Sequence, residues 1–427
     1  MRKALSILLV FLMPMGGYAQ LTLDRCMELA REHYPEIAQY GLISATEQYN
    51  VKSASNNWIP QITLSGQASW QSAVASFPDQ LKNMLAANGL DLPGIAKDQY
   101  RIALDINQTI WDGGQSKAQK RIAQADAAQQ RLNSDVSIYS LQDRICNLFF
   151  GILLLDENYQ SQMGHKELIE ANLSRLQSMR GQGLALQSDL DLLQVELLTL
   201  GQQIDQNRSS RESYVAVLSL FTGQDITGMT LVKPEQTFVQ NGTNNRPELQ
   251  LIDARIESVN ARKALLDAQV MPRVNLFAQG FYGNPGLDMF KSMSSREWTW
   301  NAMMGVRVQW NVSALITRKR DLLNLDNSRG MLSAQRETFT FNSNITDVQM
   351  NGDIGRMQKA LESDDEIVEL RARIRRTAES ELENGTINTA SLLQRMTQES
   401  DARTARSIHE IELLKAQYEM KILKNQQ

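Results

Sequence analysis

The sequence predicts a mixed, mostly α-helical fold. Its four β-strands contribute to a shared barrel, and its long helices pack like coiled coils. Three observations carry this expectation. Long proline-free stretches place apolar residues at alternating three- and four-residue steps. Four runs alternate apolar and polar residues, and a set of short motifs occurs twice.

The chain has 427 residues, 42% hydrophobic and 22% charged, with a net charge of −4. The charges are too many and too evenly spread for a polytopic helical membrane protein, and the sustained apolar periodicity excludes a disordered chain. The one basic run, Arg371, Arg373, Arg375 and Arg376, is short and follows Asp364, Asp365 and Glu366. It reads as an ion-paired helix face or a docking patch, and no nucleic acid is expected. His33, His165, His409, Cys26 and Cys146 are far apart, which argues against a metal site.

Arg2 and Lys3 precede the apolar stretch 4–15, followed by Gly16, Gly17, Tyr18 and Ala19. A charged start, a short apolar run and a small-residue end define a signal peptide, 1–19. The run is shorter than the ~20 residues a spanning helix needs. Leu23, Asp24 and Arg25 before Cys26 lack the small residues of a lipidation signal. No later stretch is expected to cross a membrane as a helix, so any membrane entry is by strands.

The repeat is read from paired motifs. Tyr34-Pro35-Glu36-Ile37 matches Arg246-Pro247-Glu248-Leu249, and Ile59-Pro60-Gln61-Ile62 matches Met271-Pro272-Arg273-Val274, both offset by 212. Gly183-Leu184 matches Gly385-Thr386 at an offset of 202, so a hairpin loop absorbs ten residues. Repeat 1 is expected over 20–221: a helix, a β-hairpin 61–111, a long helix 113–181, a tip 181–189 and a return helix. Repeat 2 is expected over 246–427: a helix, a β-hairpin 273–311, a long helix 315–383, a tip 383–391 and a return helix.

In the strands, Ile62, Leu64, Gly66, Ala68 and Trp70 alternate with Gln61, Thr63, Ser65, Gln67 and Ser69. The other three runs follow the same period of two, which is strand. Apolar-out and polar-in strands of ~9–11 residues suit an outer-membrane barrel. Trp58, Trp111 and Trp310 fall at one end of the hairpins; Trp70, Tyr100, Tyr282, Trp298 and Trp300 fall at the other. Two such girdles mark a lipid-spanning strand. Four strands cannot close a barrel and lipid tolerates no open edge, so strands must be shared among chains. Two chains give eight strands and three give twelve. Three is preferred because twelve leave room for a channel.

From 113 to 181 and from 315 to 383, each expected long helix runs roughly 100 Å at ~1.5 Å per residue. The shorter helices, about 23–58 and 188–221, run about half of that. Laid end to end, they match one long helix.

The sequence resembles the TolC-like outer membrane efflux proteins. The resemblance rests on Leu21-Thr22-Leu23 with Cys26 and Ala30, the two Pro-Glu-[Ile/Leu] helix starts, and Pro60 and Pro272 before strands. It also rests on Ile110-Trp111-Asp112-Gly113-Gly114 and on the Gly183 and Gly385 turns. It implies a homotrimer with a 12-stranded barrel in the outer-membrane lipid of a Gram-negative bacterium and a 12-helix periplasmic tunnel, joined through an equatorial linker, 222–245. The tips would dock a periplasmic adaptor (membrane fusion) protein served by an inner-membrane pump, and the assembly would export substrates. The tip residues so implied are Gly183, Leu184, Ala185, Ser188, Asp189, Gly385, Thr386 and Ile387. Ser188 or Asp189 can also cap the returning helix. The family often narrows its pore with carboxylates after the second tip. This chain has Ser391 and Gln394 there, which leaves Asp189 and Asp191 as a candidate ring.

Cys26 lies 34 residues before Pro60, and Cys146 lies 34 after Asp112. If their helices are antiparallel neighbours, the two sit at one height. A periplasmic disulfide and two separately buried thiols are then both open. No catalytic motif is present, so neither an enzyme nor a cofactor is expected. The alternative reading is an exported structural or adaptor-type coiled-coil protein without its own pore.

Overall fold

A computed structural model describes residues 20–90, 93–235 and 245–424. The expected signal peptide, 1–19, and 236–244 of the expected linker lie outside the described residues.

The chain opens with β1 (Gln20–Leu21), which pairs in parallel with β4 (Thr230–Leu231). Helix α1 (Leu23–His33) starts at Thr22, whose hydroxyl accepts from Arg25 N at 3.3 Å. The leading helix expected over 23–58 is broken. Proline keeps the residue before it out of the helical region, and Tyr34 is extended, at φ −66° and ψ 125°. A 3-10 turn, Pro35–Ile37, then leads into α2 (Ala38–Ser55). Next come β2 (Gln61–Trp70), α3 (Asp79–Ala86), β3 (Asp98–Trp111), α4 (Gln115–Gly181) and α5 (Gln187–Thr222). The second copy gives α6 (Pro247–Gln269), β5 (Arg273–Asn284), α7 (Met289–Ser295), β6 (Thr299–Gln309), α8 (Ser313–Glu383) and α9 (Thr389–Leu423).

The two compact units of the fold do not follow the two copies. Among the described residues, one is drawn from 20–40, 133–235, 245–250 and 337–424, the other from 41–90, 93–132 and 251–336. Each draws on both repeats.

The first unit is helical and holds two apolar cores. One gathers Leu23, Cys26 and Leu29 of α1, Ile145, Cys146, Phe149, Phe150 and Ile152 of α4, Leu218 of α5, and Ile411 and Leu414 of α9. Tyr139 closes it by donating its hydroxyl to Ile422 O at 2.5 Å. Cys26 and Cys146 share this core, and both are free thiols, which corrects the disulfide expectation. Burial pushes each thiol's pKa up to about 12, which disfavours the thiolate in this core. The second core lies beneath the tips and joins Ile169 and Leu176 of α4, Leu190 and Leu193 of α5, Leu382 of α8, and Leu392 and Met396 of α9.

The expectation that no later helix is apolar enough to cross a membrane needs correcting. Helix α4 contains an 18-residue stretch that is, but half of that stretch is buried inside the chain. Its apolar character serves helix packing.

The second unit carries one antiparallel sheet in the order β2-β3-β5-β6. Helices α2, α4, α6 and α8 are tied in pairs within it, by Arg131–Glu47 between α4 and α2, Ser258–Asp126 between α6 and α4, and Arg318–Asp267 between α8 and α6. The Asp112-Gly113-Gly114 motif turns β3 into α4. The Asp112 carboxylate accepts from Gly114 N at 2.9 Å and from Ser116 N at 2.7 Å, satisfying free donors of the helix start. Gly113 sits at φ +68°, and a Cβ there would lie 2.5 Å from Cβ of Met271, so only glycine fits.

Candidate membrane face and helix tips

The register sorts the sheet's side chains onto two faces. Ile62↔Ile106↔Ala278↔Met304 and Leu64↔Leu104↔Gly280↔Ala302 are rows of one face, with Ile102↔Tyr282↔Trp300 beyond them. Within the strands this face carries one charge, Asp98, opposite Trp70 at the end of the sheet. Its large side chains stand in the open: Leu64 is 73% exposed, Trp300 81% and Met304 87%. A contiguous apolar face of this size is what a soluble surface avoids. Ten residues at ~3.3 Å, tilted by ~40°, cover the ~25 Å apolar band of a membrane barrel.

The opposite face is polar. Asp105 accepts from Gln279, Arg101 lies 4.8 Å over the Phe281 ring, and Arg307 lies 4.9 Å over Phe277. Strand β3 carries a bulge at Ile110, between Thr109 and Trp111. Strands β2 and β6 are the edges, and neither has an outer partner among the described residues.

The aromatic residues gather at the strand ends. Trp298 stacks on Tyr100 at 6.2 Å and meets Tyr282 at 5.3 Å, and Tyr282 meets Trp300 at 5.0 Å. Trp70 is exposed at the same end. Trp58, Trp111 and Trp310 lie at the helix end, where the Trp310 indole donates to Val270 O at 2.9 Å.

The hairpin connections, read from sequence as plain loops, hold α3 and α7, and they clasp each other. Arg296 donates to Gly94 O at 2.9 Å and to Pro93 O at 2.7 Å, and Gly94 N donates to Met293 O at 2.9 Å. The sequence carried no local signal for this clasp, because the partners are some 200 residues apart.

Both tips are Schellman turns. Gly183 N donates to Arg180 O and Leu184 N to Met179 O, both at 2.9 Å; Gly385 N donates to Leu382 O and Thr386 N to Glu381 O. Gly183 and Gly385 hold φ of +77° and +68° with open space where a Cβ would go. Gly183→Val therefore costs conformation alone, about 1–2 kcal/mol. Gly183→Asn costs less, because asparagine tolerates this region. Hydrogen exchange over 179–190 checks the order of the three.

Of the two residues expected to cap the first returning helix, Asp189 does so and Ser188 does not. Leu186 is the N-cap of α5, and Asp189 reaches back to accept from Leu186 N at 3.0 Å; Ser188 makes no cap bond. Asp191 accepts from Gln187 at 2.7 Å. Asn388 caps α9 by accepting from Ser391 N at 2.9 Å. Leu184 and Leu186 are exposed, whereas Ala185 and Ile387 pack on the core beneath the tips.

Sequence reasoning missed the polar cluster between α4, α8 and α9. Glu399 is buried between Arg375, at 2.5 Å, and Arg403, at 2.8 Å. Beside it is a cavity of about 500 Å³ lined by Glu157, Ser161, His165, Glu167 and Arg403. His165 is buried there, and neither ring nitrogen has a partner. Desolvation holds its pKa below the ordinary histidine range, against the pull of Glu196, Asp401 and Glu399. A depressed histidine gives stability that is full above about pH 6.5 and is lost as pH falls. Thermal midpoints should therefore drop on acidification below that pH, and the His165→Gln protein should lose part of the drop.

An open sheet with one apolar face, joined to long paired helices, is the fold of the TolC-like outer-membrane channels. Solved structures that share it include the outer membrane protein VceC of Vibrio cholerae, at TM-score 0.69, 13% identity, 94% of this chain and 95% of that one. The outer-membrane channel OprN matches at 0.68, 15%, 94% and 89%, and the open MtrE channel of Neisseria gonorrhoeae at 0.63, 14%, 94% and 88%. At these identities the likeness is one of fold. By sequence, no family model and no curated protein matches the chain.

Proposed function

We propose that the protein is the outer-membrane channel of an export system, working as a homotrimer in a Gram-negative bacterium. The observation that carries the reading is the sheet, with an exposed apolar face and two unpaired edges. Lipid covers the face, and the β6 edge of one chain pairs with the β2 edge of the next until twelve strands close. A pore-free structural or adaptor-type coiled coil has no use for such a sheet.

A channel in the outer membrane has no energy source of its own. A periplasmic adaptor and an inner-membrane pump are therefore its partners, and the tips built by Gly183 and Gly385 are the docking points. Leu184 and Leu186, exposed beside the first glycine, give an adaptor apolar contact. In a trimer, Asp189 and Asp191 form the carboxylate ring of the closed end, although each already has an intrachain hydrogen bond to satisfy. Residues 222–245 form the equatorial linker. No catalytic role is proposed.

Membrane fractionation followed by electrophoresis with and without boiling tests the reading. The expected result is an outer-membrane band of trimer size that collapses to the monomer on heating. A soluble periplasmic monomer would remove the channel. Cysteine crosslinking from positions 184 and 386 then tests the docking assignment.

A further inference from the structure

We propose that the barrel lumen selects for anionic solutes, through Arg101, Arg273 and Arg307. This rests on the channel reading above and adds the charge class of its cargo.

The argument starts from the register. If the apolar face meets lipid, the other face lines the lumen, and its residues are fixed by pairing. Strand β2 contributes Gln61, Thr63, Ser65, Gln67 and Ser69 and no charge. Strand β3 contributes Arg101 and Asp105, β5 contributes Arg273, and β6 contributes Arg307. Each chain thus turns three positive charges and one negative inward, and a trimer has a surplus of six.

Nothing nearby cancels the surplus. The ion pairs of this unit include Arg131–Glu47, Arg318–Asp267 and Arg336–Asp253, and among the described residues none of the three lumen arginines pairs with a carboxylate. Arg101 and Arg307 lie instead over the rings of Phe281 and Phe277. A cation held on an aromatic face keeps its charge and is fixed against the wall. Asp105, the one opposing charge, is engaged by Gln279 on the neighbouring strand. The hairpin connections at the mouth, 71–97 and 285–298, hold four acidic and four basic residues and impose no sign of their own.

The arginines also stand at different heights. Arg101 pairs with Gly283 near the loop end, while Arg307 and Arg273 pair with Asn275 and Gln309 near the helix end. Positive charge therefore marks both ends of the barrel wall. Rings of Arg or Lys are how pores favour anions, and a low-dielectric wall focuses the field of such rings into the lumen.

The test is the reversal potential, in a planar bilayer under a KCl gradient, of purified trimer in the D189N/D191N background, which removes the carboxylate ring proposed in series with the barrel. The expected ratio of chloride to potassium permeability is above one. It should fall ~3-fold or more in R101Q/R307Q, the scale of effect that focused charge gives, and hold in R101K/R307K. Heat-resistant trimer on the gel confirms that each variant is assembled. A channel that prefers potassium, or whose ratio is the same in R101Q/R307Q, would overturn the inference and leave the channel reading standing. Assembled protein that stays without conductance even in the D189N/D191N background would remove both.

Discussion

Met304→Arg should abolish the heat-resistant outer-membrane trimer, while Met303→Arg, one residue away, should leave it in place. The two positions are neighbours on β6 and pair with Ala278 and Gln279, so they project to opposite faces. Met304 is 87% exposed, and little intrachain packing is lost when it is replaced. A soluble protein would tolerate arginine at either site. In lipid, an arginine near the bilayer midplane costs about 2–4 kcal/mol per chain, and the closed trimer carries that cost in every subunit. On the lumen side the guanidinium meets water. Equal assembly of the two variants would mean that this face does not meet lipid.

The second large effect is expected at Glu399. Its side chain is 2% exposed and that of Arg375 13%, so Glu399→Ala leaves a buried guanidinium short of its main partner. Breaking a buried pair from one side costs about 3–5 kcal/mol. Arg375 keeps Glu379 at 2.6 Å, which places the loss toward the lower value. The double variant E399L/R375M removes both charges and should recover most of the lost thermal midpoint, since apolar replacements of buried pairs are often neutral.

Acid supplies a second check. Desolvation raises the Glu399 pKa, but hydrogen bonds from Arg403 and Arg375 outweigh it and hold the carboxyl below its ordinary value. A depressed carboxylate stabilises above its unfolded pKa, about 4.3, and that contribution fades as pH falls through the folded value. The gap between wild type and Glu399→Ala should narrow over the same range. Thermal scans of detergent-solubilised protein as a function of pH read both effects, and a midpoint unchanged by Glu399→Ala would deny the pair any stabilising role.

The sheet and the long helices were legible in the sequence because their periods are local. Alternation from Gln61 to Trp70 states which side each residue takes, and the absence of proline between Pro93 and Pro234 permits long helices. The tip glycines were legible as turns because left-handed backbone selects glycine. Their docking role is a separate matter and stands on resemblance.

What was not legible depends on side-chain direction across distant segments. Equal spacing of Cys26 and Cys146 from the turn gave height, but height does not decide whether two thiols bond. The Glu399 cluster joins Arg375 and Arg403 around a carboxylate that reads, in sequence, as one more charge on a helix. Arg296 sits in a stretch with no periodicity, so its reach to Pro93 and Gly94 had no sequence correlate.

That clasp has a consequence for assembly. With the two hairpin loops fastened together and three strand pairings made within one chain, each subunit of the proposed trimer would bring a finished stave of the wall. Only the joint between one stave's β6 and the next stave's β2 must be found by encounter. Stave formation is then a unimolecular event, and closure a concentration-dependent one. Dilution should stall the second step and spare the first, leaving separate staves whose bare edges are hazards for off-pathway pairing.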